Sequence, residues 1–189
     1  MQAVLACQIF PLVCYNVRRR SKHGGIQTKS PPGTSMIQLR RILLPTDFSD
    51  PAGEALKYAC ALAEQFEAEL HLLHVLETHV STAPQFGMGL ALATRIQESQ
   101  QAAEKALNEL VDPDWAAGRQ IVRTTSEGPP FVGIIRYARD NEIDIIVLGT
   151  HGRSGLPHML MGSVAERVVR KAPCPVLTVR PEGHQFVMP

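Results

Sequence analysis

Gly149-Thr150-His151-Gly152-Arg153-Ser154-Gly155-Leu156-Pro157-His158-Met159-Leu160-Met161-Gly162-Ser163 is the stretch on which the fold turns. Before it runs Ile143-Asp144-Ile145-Ile146-Val147-Leu148, too short for a surface helix and β-branched enough for a strand buried on both faces. A parallel strand therefore stops at Gly149. After it, Val164, Ala165, Val168 and Val169 recur at helical spacing, with Arg167, Arg170 and Lys171 in the last turns, so a helix begins near Gly162-Ser163. The glycine-rich segment is a strand-to-helix turn.

Such a turn has a chemical capacity, because the first backbone N–H groups of a helix lack intrahelical partners and the macrodipole places partial positive charge there. Glycines at 149, 152 and 162 keep Cβ atoms out of a ligand's way. Ser163 offers a hydroxyl in the first helical turn, and Arg153 offers charge-assisted bonds to phosphate. The spacing is neither that of the P-loop, since no Lys follows the last Gly, nor G-x-G-x-x-G.

The pattern G-x2-G-x9-G-[ST], filled by Gly149, Gly152, Gly162 and Ser163, resembles the nucleotide-binding signature of the universal stress protein family. The continuation Val164-Ala165-Glu166-Arg167-Val168-Val169-Arg170-Lys171-Ala172-Pro173-Cys174-Pro175-Val176-Leu177-Thr178-Val179 is similar to that family's ending, and the likeness runs from about Ile37 to Arg180. The resemblance implies an α/β fold with an open five-stranded parallel sheet of order 3-2-1-4-5, helices on both faces, of the adenine nucleotide alpha hydrolase-like type. It also implies that the chain binds ATP, with Mg2+ as companion.

The 189 residues, 44% hydrophobic and 20% charged, can bury one ordinary core. The net charge of +1 conceals an asymmetry. Of 19 basic and 18 acidic residues, residues 1–35 hold Arg18, Arg19, Arg20, Lys22 and Lys29 and no acid, which leaves −4 from Met36 onward. A mildly acidic body carries no nucleic-acid footprint, which needs basic residues clustered on one face. Met1 to Val17 is apolar but broken by Gln2, Gln8, Pro11 and Asn16, and it falls short of a bilayer span. A secretory signal carries its positive charge before the apolar region, whereas Arg18 to Arg20 follow it. Residues 1–35 are therefore read as a disordered or mis-called N-terminal extension, with a transit peptide as the alternative. The family domain is placed at 36–182 and a short tail at 183–189.

The body opens with Ile42-Leu43-Leu44, a buried strand ended by Pro45, and Ser49 or Asp50 caps a helix with Pro51 in its first turn. Ala52, Ala55, Leu56, Ala59, Cys60, Ala63 and Phe66 share that helix's apolar face. Leu70 to Leu76 is the second strand; His71 and His74, three apart, point to opposite faces, cannot share a metal, and are read as structural. Glu77 to Leu90 is a loop. Leu92, Ile96, Ala103, Leu107 and Leu110 stripe the next helix, which Asp112-Pro113 ends. Gln120 to Thr125, the most polar strand, suits a sheet edge, and Val132, Ile135, Tyr137 and Ala138 mark the helix that follows. Strands alternate with helices at a spacing that means parallel pairing through right-handed crossovers.

In open parallel sheets ligands sit beyond the carboxyl ends of the strands, at the point where neighbouring connections leave to opposite faces. In the implied order this point lies between the first and fourth strands, so Pro45-Thr46-Asp47 and the glycine loop share a crevice. Asp47 resembles the family's acid at the nucleoside end, Val75 the position whose backbone meets adenine, and Leu148, His151 and Val164 flank the phosphate loop. A carboxylate suits that place because it accepts hydrogen bonds from ribose hydroxyls or base amines.

No matched Ser-His-acid order or paired carboxylates stand out, so no catalytic residue is assigned. Cys60 and Cys174 read as core thiols of a reducing compartment, and the chain is expected in the cytoplasm. Three functions follow: an ATP-binding regulatory stress protein, for which the motif speaks most directly; a slow ATP hydrolase or phosphotransferase; and a nucleotide-independent interaction module. A homodimer is expected through the fifth strand, Val176, Leu177, Thr178 and Val179, whose free edge is an association hazard unless covered.

Overall fold

The computed structural model describes residues 37–77, 89–152 and 161–180. The chain divides into units Met1–Met36 and Ile37–Pro189, and all the elements below belong to the second. The expected extension, the tail and Arg153 lie outside the described residues.

The elements run β1 (Arg41–Pro45), α1 (Asp50–Phe66), β2 (Glu69–Leu76), α2 (Gly89–Glu109), α3 (Pro113–Ala116), β3 (Ile121–Glu127), α4 (Pro130–Asp140), β4 (Ile145–Gly149), α5 (Ser163–Lys171) and β5 (Val176–Val179). All five strands pair in parallel, in the order β3-β2-β1-β4-β5. This is the expected sheet.

Side-chain alternation along the strands divides the core in two. Ile42, Leu44, Leu70, Leu72 and Val147 face Ala55, Ala59 and Ala63 of α1 and Leu107 of α2. Leu43, Leu73, Val75, Ile146 and Leu148 face Ile134 and Ala138 of α4 and Ala165 and Val168 of α5. The central strands are apolar on both faces because each face carries a helix layer.

Asp144 interrupts an apolar run without entering the sheet. Its Oδ2 accepts from the Arg40 and Arg41 backbone N–H groups at 2.8 and 3.1 Å, tying the start of β1 to the residue before β4. The ladder begins one residue later.

The small residues of α1 set how closely it approaches the sheet. At Gly149, a Cβ would lie 2.7 Å from the Pro51 carbonyl oxygen. The end of β4 therefore passes under the first turn of α1 with no room for a side chain. Helix–sheet packing thus requires a glycine here.

Three helical stripes differ in detail from expectation. On α1 the buried set is Ala52, Ala55, Ala59 and Ala63, while Phe66 is exposed. On α5 Ala165 and Val168 are buried and Val169 is exposed. On α4 the buried residues are Ile134 and Ala138; Val132 and Ile135 stand to either side. The cause is Gly133, where a Cβ would sit 3.0 Å from Val75 Cγ2: the helix meets β2 at a residue with no side chain for a hydropathy pattern to register. The short α3 was unforeseen. Asp112 Oδ1 accepts from the N–H groups of Asp114 and Trp115 at 2.8 and 3.1 Å, so the acid starts a capped turn where Asp112-Pro113 had been read only as a stop.

Candidate functional site

Two turns at the carboxyl ends of β1 and β4 build the site. In the first, Thr46 N–H extends β1 by donating to Leu73 O at 2.9 Å. Thr46 Oγ1 accepts from Phe48 N–H at 3.0 Å, and Asp47 Oδ1 accepts from Ser49 N–H at 3.1 Å and from the Ser49 hydroxyl. Ser49 is the N-cap of α1 but makes no side-chain cap bond. Its hydroxyl holds Asp47 instead. Between them Phe48 adopts φ 63°, a left-handed conformation that costs a non-glycine residue roughly 1–2 kcal/mol. The two side-chain bonds and the stacking of Phe48 on His74, 4.6 Å between centroids, offset that cost. His74 Nδ1 lies 2.8 Å from Thr46 O.

The second turn is anchored at both ends. Thr150 N–H donates to Val179 O at 2.9 Å, and Gly162 N–H donates to Thr150 O at 2.7 Å, closing the loop at its mouth. Thr150 is buried, with Oγ1 3.0 Å from His151 Nδ1. Gly162 is the N-cap of α5, and a glycine has no side chain to cap with. The first helical N–H to find an acceptor behind it is that of Glu166, on Gly162 O. The N–H groups of Ser163, Val164 and Ala165 precede it, and these residues border open space.

The turns meet at Gly152, where a Cβ would stand 2.7 Å from Asp47 Oδ2. The requirement for glycine is steric, since the positive-φ glycines among the described residues are Gly118 and Gly128.

A cleft of about 980 Å3 opens over this junction. Pro45, Thr46, Asp47, Val75, Leu148, Gly149, His151, Gly152, Gly162, Ser163 and Val164 all line it. Arg153 alone of the expected set is outside the described residues. The cleft also takes in residues not expected from sequence: Arg95, Ile96 and Ser99 along α2, Glu77 and Glu127 at the ends of β2 and β3, Pro130 and Ile134 of α4, and His74 and Thr150. Ile96 had been assigned to the core stripe. Its neighbour Arg95 and Ser99, one turn on, share its face, a pattern the sequence did carry.

The cleft's electrostatics are divided. Asp47, Glu77 and Glu127 supply negative charge, while Arg95 and the uncapped start of α5 supply positive character. An anion fits at α5 and a hydrogen-bond-donating group fits at Asp47.

The two β2 histidines do face opposite ways. His71, 4% exposed, has Nδ1 2.9 Å from the Tyr137 hydroxyl, and burial among apolar groups lowers its pKa, with Glu69 acting in the opposite sense. Its Nε2 lies 3.4 Å from Glu69 Oε2 yet makes no hydrogen bond. Burial likewise pushes the thiols of Cys60 and Cys174 up to about 11, so neither is a ready nucleophile.

The universal stress protein family model matches residues 38–180. Universal stress protein MJ0531 of Methanocaldococcus jannaschii is 36% identical over 142 residues, which span 75% of this chain and 82% of that protein. Universal stress protein MJ0577 of the same organism is 30% identical over 156 residues, 76% of this chain and 96% of that one. Among solved structures, universal stress protein UspA from Lactobacillus plantarum superposes with a TM-score of 0.64 at 27% identity, covering 77% of this chain and all of that one.

Proposed function

The chain belongs to the universal stress protein family, and from that premise we propose that it binds ATP, with Mg2+ sharing the phosphate charge, as a nucleotide-dependent regulatory protein of the stress response in the cytoplasm. The observation that carries this reading is the meeting of an uncapped helix start, α5, with the Asp47 carboxylate across Gly152 in one cleft. Phosphates take the glycine loop and the α5 end, where the Ser163 and Val164 N–H groups have no acceptor among the described residues, with Gly149, Gly152, Gly162 and Arg153 around them and Leu148 and His151 flanking; the adenosine takes Asp47 and Val75, beside Pro45 and Thr46. A structural relative of the same fold, 23% identical, is a universal stress protein in complex with cAMP. At that distance the likeness extends to the fold, and the ligand here is argued from the cleft.

Each hydrogen bond to a charged phosphate is worth about 1.5–3 kcal/mol. A few of these with adenine burial, less ordering costs, make a micromolar affinity, about −8 kcal/mol, reasonable. Regulation is favoured over hydrolysis because the two candidate bases at the seam of the turns, Asp47 and His151, are engaged locally, Asp47 by Ser49 and His151 by Thr150. A homodimer through β5 belongs to the same proposal. Pro175 O and Val179 O face β4, so alternation turns the Val176 and Thr178 N–H groups to the outer edge.

Ser163→Pro tests the phosphate end. Proline is favoured at the first helical position, and Gly162 at φ −68°, ψ 153° already has the backbone a following proline requires. The change removes one N–H and one hydroxyl without disturbing the helix. Calorimetric titration should show ATP affinity falling about tenfold or more while adenosine affinity stays unchanged. Equal affinities of wild type and variant for ATP would reject the phosphate site.

A further inference from the structure

His74 stands on β2 where a strand histidine is expected to be structural. Its surroundings say more. The residue is 9% exposed, and Nδ1 sits 2.8 Å from Thr46 O. A carbonyl oxygen only accepts, so Nδ1 carries the proton, and in the neutral ring Nε2 is left with a lone pair. Phe48 stacks on one face at 4.6 Å, and these two contacts fix the ring. His74 lines the cleft, and among the described residues its Nε2, unlike that of His71, is not one of the fully sealed atoms left without a partner. Among the described residues Nε2 has no partner. A nearly buried side chain thus presents one unfilled acceptor to the cavity, locked in place by the carbonyl of the residue before Asp47.

Two acceptors in one cleft, the Asp47 carboxylate and the Nε2 lone pair of the His74 ring, suit a group that offers two adjacent O–H donors. We propose that His74 is a specificity-determining residue of the nucleotide site: its Nε2 accepts a hydrogen bond from a ribose hydroxyl while Asp47 accepts from the adjacent one, so that the cleft selects nucleotides with an intact cis-diol. The inference rests on the ATP reading and deepens it. His74 also holds the β1–α1 turn through Nδ1, and the two roles are separable because they use different ring atoms.

The experiment titrates ATP, 2′-deoxyATP, 3′-deoxyATP and inosine triphosphate into the full chain and into His74→Asn and His74→Gln. An asparagine amide places a donor where Nδ1 was and nothing where Nε2 was; glutamine reaches the Nε2 position and gives up the bond to Thr46. Wild type should prefer ATP to at least one deoxynucleotide by about tenfold, the worth of one good hydrogen bond. His74→Asn should fold and lose that preference, binding ATP and the deoxynucleotide alike, and His74→Gln should keep part of it. Retained ribose preference in His74→Asn would overturn the proposal and leave His74 as a pin for the turn. Loss instead of the preference for ATP over inosine triphosphate would also overturn it, by assigning Nε2 to the base amine. Should the variants fail to fold, the wild type still decides, since equal affinity for all three sugar forms rejects selection of the diol. A wild type that binds no ATP fails the nucleotide reading itself, a different result from ATP binding without sugar preference.

Discussion

The two turns that make the cleft handle their polar groups in opposite ways. In the β1–α1 turn, Thr46 bonds Phe48, Asp47 bonds Ser49 and His74 bonds Thr46, so the turn is largely satisfied from within and even carries a left-handed phenylalanine. In the β4–α5 turn, the loop is tied at its ends, but the helix it feeds begins on a glycine and its first donors have no acceptor among the described residues. The first turn is a template that fixes where a ligand's donors must lie, and the second is a reservoir of uncommitted binding energy. A site needs both, since open donors on a loose frame lose to ordering entropy what they gain in contact.

The most damaging way to break this arrangement is Gly149→Ala. The new Cβ would meet the Pro51 carbonyl at 2.7 Å, backbone against backbone-anchored methyl, with no flexible end to give way. Thermal unfolding should show a loss of about 1–3 kcal/mol, the usual range for overpacking. A melting temperature equal to that of wild type would mean that β4 and α1 are not in the contact described.

A lesser change sharpens the comparison by acting on the seam between the turns. Gly152→Ala puts a methyl 2.7 Å from Asp47 Oδ2, so it should displace the carboxylate rather than obstruct phosphate. ATP and adenosine should then weaken together, by up to the roughly 1.5–3 kcal/mol of a hydrogen bond to a charged group. Asp47→Ala should cost a similar amount, and in its background Gly152→Ala should cost little. Calorimetry on this double-mutant cycle reads the coupling directly, and additive losses would show that the two turns act independently.

The smallest expected effect on the folded protomer comes from Thr178→Pro. The N–H it deletes points to the outer edge of β5, so the ladder to β4 survives and only pairing with a second copy is lost. Light scattering should find a dimer in wild type and a monomer in the variant, with ATP affinity changed little. A wild-type monomer would dispose of the β5 interface.

Much of this frame was legible in residues. Ile145 to Leu148 are too apolar for anything but a doubly covered strand, and Gly162-Ser163 marks the start of α5 as expected. Asp47 could be joined to the glycine loop only through the strand order that the family resemblance implied, because nothing local in Pro45-Thr46-Asp47 points a hundred residues ahead. What stayed hidden depends on space rather than on pattern. Gly149 and Gly133 are small because a backbone or a valine occupies the place of their side chains, and a sequence does not say whether a glycine makes way for a ligand or for a neighbour. Arg95 and Ser99 belong to the cleft because α2 lies over the ends of β2 and β3. His74 looks like any strand histidine until the bond to Thr46 O settles which nitrogen is left over.

The bond from Gly162 N–H to Thr150 O has one more consequence, for how this protein can be altered. It ties the two ends of the glycine loop together, so the residues between Gly152, which meets Asp47, and Met161, which packs on the core, form an exchangeable cassette. Lengthening such a segment costs only about 0.6 kcal/mol for each doubling, because closure entropy grows with the logarithm of length. Loops of other lengths and compositions can be grafted between the same two anchors, and the sheet, α5 and the β1–α1 turn would remain as a fixed chassis for new ligand preferences.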